Sequence, residues 1–114
     1  MTYETIEYEA KEPGIGILSL NRPRRYNSVS YQMIEELEAF WEQKKYDLDT
    51  HVILLAGNGE KGFCAGLDMR EAIKMAPSMG LDQHYAFQAR LARLLLAMRR
   101  VPQPIVCAVH GAAA

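Results

Sequence analysis

The sequence has 114 residues, of which 49% are hydrophobic and 24% charged, and its net charge is −1. This length suits one small domain, and the composition is ordinary for a globular protein. The charge argues against a general nucleic-acid or acidic-membrane surface, and no apolar run approaches the roughly 18 residues of a membrane span.

The first predicted elements form a β-hairpin. Ile6 and Tyr8 alternate with charged residues within Thr2–Glu9, which is the pattern of a half-buried strand. A turn follows at Lys11–Gly14, with proline and glycine in the positions that a type II turn favours. Ile15–Leu20 then predicts the second strand of the hairpin.

A basic loop is predicted after the hairpin, over Asn21–Asn27, because Pro23 cannot continue a strand ladder. It carries three arginines, Arg22, Arg24 and Arg25. Two interpretations remain open at this point. The loop is either an ordinary solvated turn or a phosphate-binding corner, since the guanidinium fork matches phosphate oxygens.

The first predicted helix begins after Ser30, a suitable N-cap residue, and extends to about Lys45. Apolar residues recur at helical spacing and predict one buried stripe: Met33, Ile34, Leu37, Phe40, Trp41 and Leu48. The glutamates are predicted to face water: Glu35, Glu36, Glu38 and Glu42. We interpret this element as a packing helix in which Trp41 belongs to the core.

Two apolar runs without alternation, Val52–Ala56 and Ile105–Val109, predict strands that are covered on both faces. Between them we expect a short helix to about Met75, a helix breaker at Ala76–Gly80 and a second helix over Leu81–Arg100. The apolar stripe of that second helix is Phe87, Leu91, Leu94, Leu95 and Met98. The order of elements predicts an α/β domain with right-handed crossovers.

The last residues, His110–Ala114, do not resemble the end of a domain. Gly111 predicts a turn and the alanines predict the beginning of another helix. The strand before them would then lack a cover. We therefore expect the sequence to be a fragment of a longer protein.

The most unusual stretch is Gly57–Arg70, with the sequence GNGEKGFCAGLDMR. Its four glycines permit positive φ or close backbone approach: Gly57, Gly59, Gly62 and Gly66. Asp68 can cap a helix that begins near Met69. The stretch is either a tight turn with a capped helix, or a helix N-terminus whose free N–H groups attract an anion or a developing oxyanion. It matches neither a P-loop nor a dinucleotide fingerprint.

The two cysteines, Cys64 and Cys107, lie in apolar surroundings. We expect reduced thiols and a cytoplasmic location rather than a disulfide. The first ten residues carry three glutamates and no apolar core, so they do not predict a signal peptide. Paired Cys/His spacing for zinc is absent, and no metal is expected.

Three segments together resemble the crotonase superfamily, the enoyl-CoA hydratase/isomerase fold. They are Asn21-Arg22-Pro23 with Asn27-Ser28-Val29-Ser30, then Gly62-Phe63-Cys64-Ala65-Gly66-Leu67-Asp68, and Val101-Pro102-Gln103-Pro104 followed by Ala108-Val109-His110-Gly111. The resemblance covers nearly the whole chain. It implies that residues 1–114 are the N-terminal part of one α/β domain, a ClpP/crotonase-type spiral of strand–strand–helix repeats that is truncated here.

The resemblance also implies a substrate, an acyl-coenzyme A thioester, and no permanently bound cofactor. It implies homotrimers or paired trimers, with neither nucleic acid nor membrane as partner. In the family, two backbone N–H groups hold the thioester oxygen as it becomes an enolate, and the first of them matches the N–H of Leu67. Arg24 and Arg25 match residues that meet the coenzyme A phosphates. The remaining implied contacts are Ala65 and Gly66 beside the pantetheine arm, and Asp68, Met69 and Arg70 along the pantetheine and adenine end, with Asp68 mainly a structural cap.

The family's other catalytic groups have no match in this sequence. Its second oxyanion donor comes from a glycine cluster that would follow Ala114, and its catalytic glutamates come later still. Glu60 and Glu71 are not substitutes, and Cys64 lacks a nearby base. His51, His84 and His110 are expected to be structural or on the surface. We therefore expect residues 1–114 alone to lack hydratase activity.

Several functional alternatives remain open beside an enoyl-CoA hydratase/isomerase. The chain could be a non-catalytic acyl-CoA-binding module, or a half-domain that a partner completes. Other chemistries of the superfamily also stay possible, namely dehalogenase, decarboxylase, thioester hydrolase and racemase reactions.

Overall fold

The computed structural model of the protein describes residues 2–113. Its strands and helices in chain order are β1 (Ile6–Glu12), β2 (Ile15–Leu20), α1 (Tyr31–Lys44), β3 (Val52–Gly57), β4 (Gly62–Cys64), α2 (Met69–Met75), α3 (Leu81–Arg100), β5 (Ile105–Cys107) and β6 (Ala112–Ala113). Short 3-10 turns lie at Pro23–Arg25 and Ala76–Ser78. Within this part of the chain, no helix is both long enough and apolar enough to cross a membrane.

The main sheet has the strand order β1-β2-β3-β5. β1 and β2 form the predicted antiparallel hairpin, whereas β3 lies parallel to both β2 and β5. Parallel neighbours need a long connection, and here α1 lies in the connection from β2 to β3 while α2 and α3 lie in that from β3 to β5. A second parallel sheet pairs β4 with β6. The predicted α/β class is therefore confirmed.

The hydrophobic core forms mainly between α1 and the sheet. Ser30 begins α1 as predicted, because its Oγ accepts a hydrogen bond from the Met33 N–H at 3.1 Å. Trp41 is only 1% exposed and lies in the core as predicted. Its ring meets that of Phe40 edge-on at 4.9 Å between centroids. The buried hydrophobic cluster contains Ile6, Leu18, Leu20, Met33, Ile34, Leu37, Phe40, Trp41, Ile53, Leu55, Leu94 and Val101.

The prediction that Glu36 faces water is wrong. This side chain is 4% exposed, and its carboxylate accepts hydrogen bonds from the Thr5 N–H at 2.9 Å and the Thr5 hydroxyl at 2.8 Å. Burial alone would raise the pKa of the Glu36 carboxyl. The hydrogen bonds from Thr5 and from the Glu4 N–H outweigh this effect and hold that pKa below its ordinary value. The carboxylate thus ties the start of the chain to α1.

Two residues assigned to apolar stripes lie outside the core instead. Leu48 is 80% exposed because α1 ends at Lys44, so the helical spacing no longer applies to it. Leu95 is 67% exposed, although its neighbour Leu94 is buried. Consecutive helical residues point in directions about 100° apart, and only Leu94 points into the core.

β5 and the residues after it also depart from the prediction. The strand is only Ile105–Cys107 rather than Ile105–Val109, whereas the 51% exposure of Val106 within the described part of the chain agrees with the expectation that this strand lacks a cover here. Ala112–Ala113 is a strand rather than the beginning of a helix, and it pairs with β4, which the sequence did not predict. A Cβ at Gly62 would lie 2.9 Å from backbone atoms of Ala112, so this pairing needs glycine. Ala114 lies outside the described residues.

Candidate functional site

The basic loop and the glycine-rich stretch meet along a short run of backbone contacts. The Val29 N–H donates to the Gly66 carbonyl at 2.7 Å, and the Asp68 N–H donates to the Val29 carbonyl at 2.9 Å. These two bonds form an isolated parallel bridge between Val29 and Leu67. The sequence placed these residues in two separate motifs, and the fold brings them together.

The bridge determines the direction of the Leu67 N–H. This N–H belongs to the same peptide group as the Gly66 carbonyl, and the peptide is trans, so the two bonds point in opposite directions. Because the carbonyl points toward Val29, the N–H points away from it. No residue in 2–113 accepts a hydrogen bond from this N–H. The arrangement leaves one fixed donor available to another acceptor.

Gly66 is needed for the turn that presents this peptide. Its φ is +94°, in the region that side-chain-bearing residues rarely adopt. Its N–H approaches the Cys64 Sγ at 3.5 Å, so the thiol lies beside the turn. Leu67 itself lines a small cleft with Val29, Ala72 and Phe87. The side chain therefore packs while the backbone presents the donor.

Asp68 is the N-cap of α2, as predicted. Its Oδ1 accepts hydrogen bonds from the Arg70 N–H at 3.0 Å and the Glu71 N–H at 3.2 Å. This corrects the picture of a helix N-terminus with free N–H groups, since the Asp68 carboxylate already occupies two of them. The available donor lies before the helix, at Leu67.

The second oxygen of Asp68 binds Arg22, with Nη2 donating to Oδ2 at 2.9 Å. Burial raises the pKa of the Asp68 carboxyl, but the Arg22 guanidinium and the capping N–H groups outweigh it and hold that pKa below its ordinary value. Asp68 therefore stays ionised at neutral pH and joins the two motifs.

The three arginines of the basic loop divide into two kinds. Arg22 is engaged with Asp68 and with Ser28, whose carbonyl and hydroxyl both accept from Nη1. Arg24 and Arg25 lie exposed on the 3-10 turn Pro23–Arg25. Of the three arginines, Arg24 and Arg25 are therefore the two that remain exposed to solvent.

This basic turn lies next to the glycine-rich stretch. The Ala65 N–H donates to the Tyr26 carbonyl at 3.0 Å, and Tyr26 directly follows Arg25. Ala65, Met69 and Arg70 are exposed beside the turn of Gly66. The predicted coenzyme A contacts thus lie on neighbouring segments of backbone.

Asn27 is a structural residue of the site that the sequence analysis quoted in a family segment without giving it a role. It is completely buried and has φ +54°, which asparagine tolerates better than most residues. Its Nδ2 donates to the carbonyls of Asn58 and Gly62, each at 3.0 Å, and its Oδ1 accepts from the Arg22 N–H at 2.8 Å. One side chain thus joins the basic loop to β4. The signal for it was an asparagine at the end of a proline-containing loop.

Three side chains to which the sequence analysis gave no catalytic role are either exposed or engaged in contacts with the backbone: Glu60, Glu71 and His110. Glu60 is exposed, and the Glu71 carboxylate accepts a hydrogen bond from the Tyr31 N–H at 2.8 Å, which ties α2 to the start of α1. His110 contacts the Gly59 carbonyl at 2.8 Å. Across residues 2–113, no group of three His, Cys, Asp or Glu side chains is placed to hold a metal ion.

A known protein family matches most of the chain. The profile of the enoyl-CoA hydratase/isomerase family matches residues 15–113, which include every site residue described above. The chain belongs to the enoyl-CoA hydratase/isomerase family. This confirms the resemblance drawn from the three sequence segments.

Individual relatives differ in the reactions for which they are named. The 1,2-epoxyphenylacetyl-CoA isomerase of Escherichia coli (strain K12) is 35% identical over 107 residues, which are 90% of this chain and 39% of the isomerase. The mitochondrial 3-hydroxyisobutyryl-CoA hydrolase of Gallus gallus is 36% identical over 104 residues, 89% of this chain and 26% of the hydrolase. The crystal structure of an enoyl-CoA hydratase from Bacillus anthracis matches with a TM-score of 0.83 and 32% identity, over 95% of this chain and 40% of the hydratase.

The fold of this enoyl-CoA hydratase/isomerase family chain is the crotonase fold, in the part that the chain spans. That part is about two fifths of the relatives' length: the chain covers 41%, 35% and 39% of three curated relatives. The family and the fold are thereby established.

Proposed function

We propose that the protein binds an acyl-CoA thioester and stabilises negative charge on the thioester oxygen with the backbone N–H of Leu67. The observation that carries this proposal is the orientation of the Gly66–Leu67 peptide. Its carbonyl is held by Val29, and its N–H has no acceptor within residues 2–113. A fixed donor of this kind needs no reorganisation when charge develops, and comparable donors contribute about 3–4 kcal/mol to the transition state.

The reaction we favour is that of an enoyl-CoA hydratase/isomerase. In hydration, a base removes a proton from water, the water oxygen attacks C3 of the enoyl group, and the electron pair moves to the thioester oxygen. The resulting enolate then receives a proton at C2. Glu60 and Glu71 are not the acid–base groups in this proposal, because one is exposed on a turn and the other holds the Tyr31 N–H.

The coenzyme A end of the substrate is proposed to lie along the neighbouring segments. Arg24 and Arg25 are exposed, carry guanidinium forks and find no carboxylate partner among the described residues. They are suited to the phosphates. Ala65 and Gly66 leave room for the pantetheine arm, and Met69 and Arg70 extend the contact along α2.

The test is made on the protein expressed from its complete gene, with short enoyl-CoA thioesters as substrates. Leu67→Pro removes the donor N–H, and we expect kcat to fall by roughly 100-fold or more. Leu67→Ala keeps the N–H and should lose far less. Replacing Leu67 with its α-hydroxy acid gives an ester without the N–H or the proline ring, which separates the loss of the donor from distortion of the turn. Equal losses in all three variants would contradict the proposal.

We further propose that residues 1–114 alone bind acyl-CoA but do not turn it over, since they supply one oxyanion donor and no assigned acid–base residue. Titration with a saturated acyl-CoA and an activity assay on the same preparation test this directly. Turnover by residues 1–114 would refute it. Light scattering on the product of the complete gene tests the trimeric or hexameric assembly proposed for the whole protein.

A further inference from the structure

We infer that Arg22 is a positioning residue, which acts with Ser28 and Asp68 to fix the direction of the Leu67 N–H. These three residues are called the Arg22 clamp below. The inference rests on the proposed function, because it concerns the donor that the proposal assigns to the thioester oxygen. It adds a role for side chains that need not touch the substrate.

The guanidinium of Arg22 holds both sides of the backbone bridge. Nη1 donates to the Ser28 carbonyl at 2.5 Å and to the Ser28 hydroxyl at 3.1 Å, while Nη2 donates to Asp68 Oδ2 at 2.9 Å. Ser28 directly precedes Val29, and Asp68 directly follows Leu67. One rigid planar group therefore fixes the two segments relative to each other.

A relative movement of these two segments would change the direction of the Leu67 N–H. The Val29 N–H donates to the Gly66 carbonyl, and that carbonyl shares its peptide plane with the Leu67 N–H. Movement of Val29 would rotate the plane and misdirect the N–H. The same bond polarises the peptide, and hydrogen bonds in such a chain strengthen one another by roughly 10–30%. The clamp therefore affects both the direction and the strength of the donor.

The N-cap role of Asp68 does not by itself require Arg22. Oδ1 alone accepts from the Arg70 and Glu71 N–H groups, which leaves Oδ2 for the guanidinium. Asparagine is as good an N-cap as aspartate, so Asp68→Asn keeps the cap and removes the charged partner of Arg22. Arg22→Lys keeps the positive charge and removes the fork. These two variants isolate the clamp from the helix cap and from net charge.

The matched controls are Arg90→Lys and Glu38→Gln. Arg90 and Glu38 form a two-point ion pair between α3 and α1, with donor–acceptor distances of 2.7 and 2.9 Å, and neither residue has a role in the site. Steady-state kinetics on the product of the complete gene should show a kcat loss of roughly 10- to 100-fold in Arg22→Lys and in Asp68→Asn, as expected for a misplaced catalytic group. KM should change little, and the two controls should keep the wild-type kcat.

The two single variants should not have additive effects. If Arg22 and Asp68 act as one unit, the double variant should lose about as much kcat as either single variant. Additive losses would mean that the two residues act separately, which would overturn the clamp. A rise in KM with unchanged kcat would also overturn it, because the residues would then serve binding.

The infrared carbonyl stretch of a bound saturated acyl-CoA, labelled with 13C at C1, reports directly on the donor. In the wild-type protein the stretch should move to lower wavenumber on binding, and in the clamp variants it should return toward the value of the free thioester. If the wild-type protein gives no shift, the proposed function fails. If the wild-type shift persists unchanged in both variants, the clamp fails while the proposed function survives. If Arg22→Lys does not fold, Ser28→Ala can replace it, because it removes the hydrogen bond between Arg22 Nη1 and the Ser28 hydroxyl and should reduce the shift partially. An undiminished shift in both Ser28→Ala and Asp68→Asn would overturn the inference.

Discussion

The two parts of the chain differ in how many hydrophobic side chains they bury fully. Residues 2–57, the N-terminal region, contain ten of the twelve buried hydrophobic side chains found in the described residues, whereas residues 62–113, the C-terminal region, contain two. The contrast is clearest in the helices. α1 has 14 residues and buries seven of them, while α3 has 20 residues and buries only Leu94.

Directed polar contacts connect the C-terminal region to the N-terminal one. Asn27 holds Gly62, Arg22 holds Asp68, Glu38 holds Arg90, and Gln103 Nε2 donates to the carbonyls of Lys44 and Asp47. Burial is non-directional and supplies stability, whereas hydrogen bonds define distances and angles. Two of these contacts, those of Asn27 and Arg22, lie at the proposed site, so we expect the site geometry to respond to substitutions that leave the hydrophobic core intact.

The largest effect on stability should come from the core of the N-terminal region. Phe40 is 1% exposed and packs against the rings of Tyr3, Tyr8 and Trp41. Phe40→Ala should lower the free energy of unfolding by about 3–5 kcal/mol. Tyr85→Ala, on the exposed face of α3, is the matched control and should change it by less than about 0.5 kcal/mol. Urea unfolding of both variants measures the two changes in unfolding free energy. Similar changes would contradict the expected difference between the core and the exposed face of α3.

Asn27 should give the next largest effect, since it joins the two regions. Asn27→Ala leaves the Asn58 and Gly62 carbonyls and the Arg22 N–H without their partner, so we expect a loss of about 1–3 kcal/mol, the penalty typical of unsatisfied buried groups. Asn27→Gly loses the same bonds but accepts φ +54°, and should be more stable than the alanine variant by roughly 1 kcal/mol. If the glycine variant matches wild type, backbone conformation and not hydrogen bonding explains the asparagine.

The features that were predicted correctly from the sequence are those that local patterns determine. Both bounds of α3 and the caps Ser30 and Asp68 were correct, because periodicity and capping involve residues within a few positions of one another. β4 and β6 were missed, since strands of three and two residues carry no periodic signal and exist through pairing with each other. The principal structural contacts of the site also lie outside local patterns.

Long-range partners explain the misjudged side chains. Glu36 resembled the water-facing glutamates around it, and its burial depends on Thr5, which is 31 residues away. Arg22 resembled its exposed neighbours, and its engagement depends on Asp68, 46 residues away. The family resemblance pointed to Leu67, but the orientation of its peptide could only be read from the bridge to Val29.

The contribution of Glu36 to the unfolding free energy should depend on pH, which gives a further test of how polar contacts stabilise the N-terminal region. Its pKa is lower in the folded state, so its stabilising contribution is fully present well above about pH 4.3, the ordinary glutamate value, and is lost as pH falls through the folded-state pKa. The wild-type protein should therefore lose more unfolding free energy between pH 7 and pH 3 than Glu36→Gln does. Urea unfolding at both pH values measures this, and parallel losses would show that the carboxylate does not contribute as an ion.

The smallest effect should come from the ion pair between α1 and α3. Arg90 and Glu38 form two short hydrogen bonds, but their side chains are 32% and 38% exposed, so water and salt screen the attraction. Arg90→Met should lower the unfolding free energy by about 0.2–1 kcal/mol, and the difference from wild type should shrink as salt is raised. Arg22→Met breaks an ion pair that is only 18% and 10% exposed, and should respond less to salt. If the two variants depend equally on salt, the Arg22–Asp68 pair is no better shielded from solvent and ions than the Arg90–Glu38 pair. That result would contradict the expected difference between a contact inside the site and one on the surface.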